Sequence, residues 1–349
     1  MKRIISCLMA VLITAGMITS CAKKPVSETK KDKLKIVCSI FPVYDWVKNI
    51  LGDDISDANL TLLIDSGVDL HSFQPTTDDI IGISESDVVI YVGGVSDKWI
   101  EDAVKASQNE KIIEINLMEI LGDRVKEHQH IEGTEEHEHD HEHEHEHDHE
   151  HEHEHEHEHE HSEEHSHESG HHDDEHIWLS LKNAEILTEY ISEKLCEIDG
   201  ENADAYRKNA KKYTDRLNEL DSLYQKTVEN SKHNAVIFGD RFPFIYLTED
   251  YGLEHFAAFS GCSAETEASF ETVAFLSDKL DELGLSFVLT IEKTNHNIAE
   301  TIIMNTESKN QKVLVMDSMQ SVTREDIDNG ASYLEIMEDN LEVLKTALN

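Results

Sequence analysis

The sequence predicts an α/β protein built as two parallel-sheet lobes joined by a long helix. Three observations carry this. Strand-like and helix-like segments alternate in the first third of the chain and again in the last third. Between them lies one long, uninterrupted helical stripe. The two alternating regions are separated by an acidic, apolar-poor tract that cannot belong to any core.

The chain opens with Met1, Lys2 and Arg3, then an apolar run over 4–18, then Thr19, Ser20 and Cys21. A basic start, a short greasy segment and small residues before a cut describe a secretory signal over 1–20, too short and wrongly flanked for a membrane span. Ile18-Thr19-Ser20-Cys21 resembles a bacterial lipobox, which makes Cys21 the expected lipidated first residue of the mature chain. Residues 21–34, with five lysines, then form a lipid-anchored tether.

The first lobe is expected over 35–122. Its strands fall at 35–40 (KIVCSI), 58–64, 87–93 and 111–115; helical spacing marks 41–51, 78–83 and 97–106. Strand, helix, strand at this spacing implies a parallel sheet covered on its faces. After the tract, the segment 176–200 holds a helix over 181–198, ended by Gly200. A second helix over 202–231 places Tyr206, Ala210, Tyr213, Leu217, Leu220 and Tyr224 on one stripe, ~45 Å long and able to reach from one lobe to the other. The second lobe is expected over 232–349. Its strands lie at 235–239, 254–259, 286–292 and 312–317, and its helices at 242–251, 269–283, 298–307 and 332–348.

Residues 123–175 contain most of the chain's 24 His, with 23 acidic residues against two basic ones, about half of the net charge of −43. Such a segment is expected to be a disordered, solvated loop. Two-residue alternation sets imidazoles on one side of an extended chain and carboxylates on the other. Imidazole is the commonest side-chain ligand of borderline divalent ions, zinc above all. His137, His139, His141, His143, His145, His147, His149, His151, His153, His155, His157, His159 and His161 therefore form weak, exchangeable metal sites. His137-Glu138-His139-Asp140-His141 also satisfies a zinc-protease pattern, but that pattern needs a packed amphipathic helix and nothing apolar flanks it. The acidic remainder argues against nucleic acid. Cys38, Cys196 and Cys262 are too few and too scattered for a disulfide framework, and one bridge among them stays open.

Ligands of open α/β sheets sit beyond the carboxyl ends of strands. Four suitable side chains fall there: His71, His176, Asp240 and Asp317. Two imidazoles and two carboxylates would neutralise a divalent ion, two ligands from each lobe. Asp317 also reads as a helix cap and Asp240 as a cap or a partner of Arg241. Glu265 and Glu267 read as acids at a helix start. His233 and His255 lack ligand-like surroundings and are assigned to the surface.

The segments FPVYDWVKNILG, GVDLHSFQPTTDDI, SDVVIYVGG and HIWLSLKNA resemble the solute-binding lipoproteins of bacterial zinc and manganese ABC transporters, in the zinc-binding branch that carries a His-rich loop. The likeness runs from about residue 35 to the C-terminus. It implies two α/β lobes joined by a rigid long helix, with the metal held in a cleft between them. It implies ligation by His71, His176 and Asp317. The family's third ligand falls where this chain has Arg241, which stays protonated and cannot ligate; Asp240, Glu292 or His296 are the substitutes. The implied function is an extracytoplasmic, membrane-anchored, monomeric Zn2+ receptor that serves an ABC permease and its ATPase and is not an enzyme. A manganese or iron receptor of the same fold is the alternative, since two carboxylates harden the set. A surface zinc hydrolase and a metal-storing adhesin are rivals from other classes.

Overall fold

A computed structural model describes residues 33–52, 58–127, 173–261 and 268–349. The expectations for Cys21, the tract over 128–172, Cys262, Glu265 and Glu267 lie outside the described residues. The first lobe runs β1 (Leu34–Cys38), α1 (Phe41–Leu51), β2 (Ala58–Leu62), α2 (Thr77–Ser84), β3 (Val88–Tyr91), α3 (Lys98–Ala106), β4 (Ile113–Asn116) and the short α4 (Leu117–Leu121). The helices α5 (Leu181–Ile198) and α6 (Ala203–Glu229) follow the tract. The second lobe runs β5 (Ala235–Phe238), α7 (Ile245–Tyr251), β6 (Glu254–Ala257), α8 (Phe270–Leu283), β7 (Phe287–Ile291), α9 (Asn297–Asn305), β8 (Lys312–Met316), α10 (Arg324–Asp328) and α11 (Tyr333–Ala347).

Each lobe holds a four-stranded sheet, and the two orders repeat one another: β2-β1-β3-β4 and β6-β5-β7-β8, every pair parallel. β3 and β5, and β1 from Ile36 to Cys38, are apolar and buried on both faces, as parallel strands covered by helices should be. In each sheet the chain reverses its winding beside the first strand, so the loops after β1 and β3, and after β5 and β7, open onto the crevice where ligands bind.

The long helix α6 has 27 residues, ~40 Å at 1.5 Å per residue. It packs on α5 and α1 in front and on α7 and α11 behind. Asn209 donates to the carbonyl of Ile50, Tyr213 donates to the Asp45 carboxylate, and Tyr224 donates to the carbonyl of Met337. One continuous apolar core runs through both lobes and this helix. Shear between the lobes would therefore break packed contacts rather than a hinge loop. Among the described residues no helix is long and apolar enough to cross a membrane.

Three expectations need correction. The helix expected from Phe242 starts at Ile245, because Pro243 drives the preceding residue out of helical geometry; Phe242 instead pairs antiparallel with Gly261. The ends of the stretch assigned to the His/acid loop are ordered: Glu127 pairs with Asp173, and Asp174 and Glu175 are buried. His255 is half-buried and stacks on Phe242 at 4.4 Å, and this burial lowers its affinity for a proton. Cys38 and Cys196 are both buried and free.

Candidate metal centre

His71 sits on a single 3-10 turn, Leu70–Ser72, beyond β2. Leu70 is buried and anchors the turn, and the Asp69 carboxylate caps it by accepting the amide of Ser72 at 3.0 Å. His176 opens another 3-10 turn, Ile177–Leu179, whose three side chains are all buried. The His176 ring is itself fully buried, 5.3 Å from the Trp178 ring. Across the cleft, the indole of Trp178 donates to the carbonyl of Ser318 in the second lobe.

Each imidazole is oriented from behind. Asp174 Oδ1 accepts both the backbone amide and the Nδ1–H of His176, each at 2.9 Å. A carboxylate only accepts, so Nδ1 carries the proton and Nε2 of the neutral ring presents its lone pair. Asp174 is held in turn: its amide donates to the carbonyl of Lys126, and Tyr246 donates to its carbonyl at 2.7 Å. His71 Nδ1 lies 2.8 Å from Ser96 Oγ and 3.5 Å from a Glu175 oxygen.

So fixed, the rings point their Nε2 atoms at one another, 3.3 Å apart. Two nitrogens bound to one tetrahedral zinc at 2.0–2.1 Å stand ~3.4 Å apart. The spacing also suits one shared proton, so proton and metal compete for the same gap.

The second lobe is arranged differently. Asp317 follows β8; its backbone is clamped by Asn340, which accepts its amide and donates to its carbonyl, both at 2.8 Å. Its carboxylate does not cap a helix but accepts the amide of Met319 two residues on, at 2.7 Å. Burial, then the charge of Glu292, pushes Asp317 up to about 6. Asp240 is buried, and its two oxygens face the amides of Arg241 (2.8 Å) and Ile291 (3.5 Å), tying the loop after β5 to β7. Arg241 turns its guanidinium to Asp69 of the first lobe, 3.5 Å away. Glu292 accepts the amide and hydroxyl of Ser318 and the hydroxyl of Ser321. His296 is bound to Thr290 Oγ at 2.9 Å.

The structure thus brings together His71 and His176 and leaves Asp240 and Asp317 on local partners. Among the described residues no three His, Cys, Asp or Glu side chains gather tightly enough to hold an ion. Asp174 is the residue the sequence analysis overlooked. Its signal was present: His171-His172-Asp173-Asp174-Glu175-His176 breaks the strict His/acid alternation, which leaves a carboxylate two residues ahead of a His. The lobes meet around the site, where Ser66 pairs with Thr323, Arg324 bonds Asp65, and Ile64, Leu70, Trp178, Met319 and Val322 line an apolar floor.

Two like-built lobes on one long helix define the architecture of a solute-binding protein. The chain belongs to the ZnuA family, described as zinc-uptake complex component A, periplasmic, whose model matches residues 36–347. It is 29% identical over 325 residues to the high-affinity zinc uptake system protein ZnuA of Bacillus subtilis, covering 93% of this chain and 91% of that one. It is 27% identical over 326 residues to the zinc-binding protein AdcA of Streptococcus pyogenes, covering 90% of this chain but only 56% of AdcA, so it spans about half the length of that relative. Among solved structures, the Zn(II)-bound ZnuA-like domain of Streptococcus pneumoniae AdcA matches with TM-score 0.65 and 25% identity over 90% of this chain and 99% of that one. The laminin-binding protein Lmb of Streptococcus agalactiae, titled a bifunctional adhesin and metal transporter, matches with TM-score 0.67 at 20% identity over 90% of this chain and 100% of that one, a likeness of fold alone.

Proposed function

We propose that this chain is the extracytoplasmic Zn2+ receptor of an ABC-type importer, which captures the ion between its lobes and hands it to a membrane permease driven by an ATPase. The observation that carries this is the facing Nε2 pair, 3.3 Å apart, with one ring's tautomer fixed by Asp174. His71 and His176 bind as neutral imidazoles. Asp317 supplies negative charge from the second lobe, and the buried, repelled state of its carboxylate favours a cation arriving beside it. Asp240 is the weaker fourth candidate. An imidazole-led set favours zinc over manganese.

The lipobox supports anchoring through Cys21, and the relatives titled zinc-binding lipoprotein AdcA are in keeping with that. The His/acid tract acts as an antenna. Its ends at Glu127 and Asp173 are paired within a few residues of His176, so weakly held ions are released beside the tighter site. No step of this function makes or breaks a covalent bond.

The test is a zinc titration of mature protein lacking residues 128–172. One tightly bound ion per chain is expected, with the weaker equivalents of the full chain gone. Absence of any tight site would refute the receptor assignment.

A further inference from the structure

The loop that carries His71's partner is held by a residue to which neither the family motif nor the tract assigns a task. Glu175 is 5% exposed. Its Oε1 accepts the backbone amide of Ser96 at 2.9 Å, and Ser96 Oγ in turn meets His71 Nδ1. The other oxygen, Oε2, is buried, has no hydrogen-bond partner, and stands 3.5 Å from His71 Nδ1. Space for this carboxylate is made by Gly94, where an added Cβ would fall 2.2 Å from Glu175 Oε1. A buried carboxylate oxygen with an unused lone pair is costly in a fold that otherwise satisfies its polar groups. The group facing that oxygen is the His71 ring, so an ion bound at Nε2 on its other side would compensate the cost.

We propose that Glu175 is a positioning residue for the metal: it fixes the Ser96 loop behind His71 and sets a carboxylate behind that imidazole, as Asp174 does behind His176. Two consecutive acids thus back the two facing rings. They neutralise a divalent ion from outside its coordination sphere, where hydrogen-bonded carboxylates raise the basicity of metal-bound imidazoles. Asp97 holds the same loop at its other end, where its carboxylate accepts the amides of Val92 and Gly93.

This inference rests on the receptor assignment, and its test separates the two. The full chain and its Glu175→Gln variant are titrated with zinc against a chromophoric chelator that resolves the tightest site. The glutamine keeps an oxygen for Ser96 and removes only the charge. The expected result is a loss of about 10-fold in affinity, a shifted 15N resonance of the His71 ring in the zinc-loaded protein, and a metal-free melting temperature no lower than that of the parent. Gly94→Ala, which pushes the carboxylate aside without neutralising it, is expected to weaken zinc in the same direction. Parent-like affinity in both variants, or a lower melting temperature with unchanged affinity, overturns the role of Glu175 and leaves the receptor intact. A parent chain with no tight site overturns the receptor assignment itself.

Discussion

The two sides of the cleft share a topology but not a state of readiness. In the first lobe both imidazoles are backed by carboxylates and already stand at the spacing an ion requires. In the second lobe Asp240 turns both oxygens and Asp317 its Oδ1 to backbone amides, and Arg241 crosses to Asp69. Preorganisation is therefore one-sided: a rigid imidazole pair receives the ion, and the second-lobe carboxylates are set by the amides of their own lobe rather than by that pair.

Substitutions on the two sides should reveal this asymmetry. His71→Ala, at a partly exposed ring, is expected to weaken zinc by about 100-fold or more, because one of two preformed ligands is lost. Asp317→Asn should cost only about 10-fold, because its contribution is charge that has to be recruited. Isothermal titration of both variants checks the order, and a larger loss for Asp317→Asn would invert the comparison.

The smallest expected effect is a pH slope. Burial, and after it the charge of Glu175, pushes Asp97 up to about 7 against the pull of its two amides. Its folded pKa lies above the unfolded value near 3.9, so the native state holds more protons between those limits. The metal-free protein should lose stability from this group as pH rises from about 4 to about 7. Melting curves across that window, compared with Asp97→Asn, should show a flatter dependence in the variant. A steeper one would reverse the sign.

Much of this was legible in the chain. The helix over Leu181–Ile198 matches its predicted bounds, because its apolar stripe begins at a Ser180 cap and Gly200 follows its end. The central strands β3 and β5 were readable because they are short apolar runs buried on both faces. The short helices Leu117–Leu121 and Arg324–Asp328 were missed, since one turn shows no periodicity. His71 and His176 were readable from their motifs. The backing role of Asp174 and Glu175 was not, because a tract of repeated acids hides the two that the fold buries. The engagement of Asp240 by the amides of Arg241 and Ile291 was invisible for another reason: backbone donors leave no trace in side-chain identity.

The central claim is that His71 and His176 hold one ion together through Nε2. X-ray absorption on the chain lacking residues 128–172, loaded with one equivalent of zinc, tests it most directly. The account predicts two imidazole nitrogens at ~2.0–2.1 Å with oxygen completing the shell. A shell of oxygen alone, or a single imidazole, would contradict it.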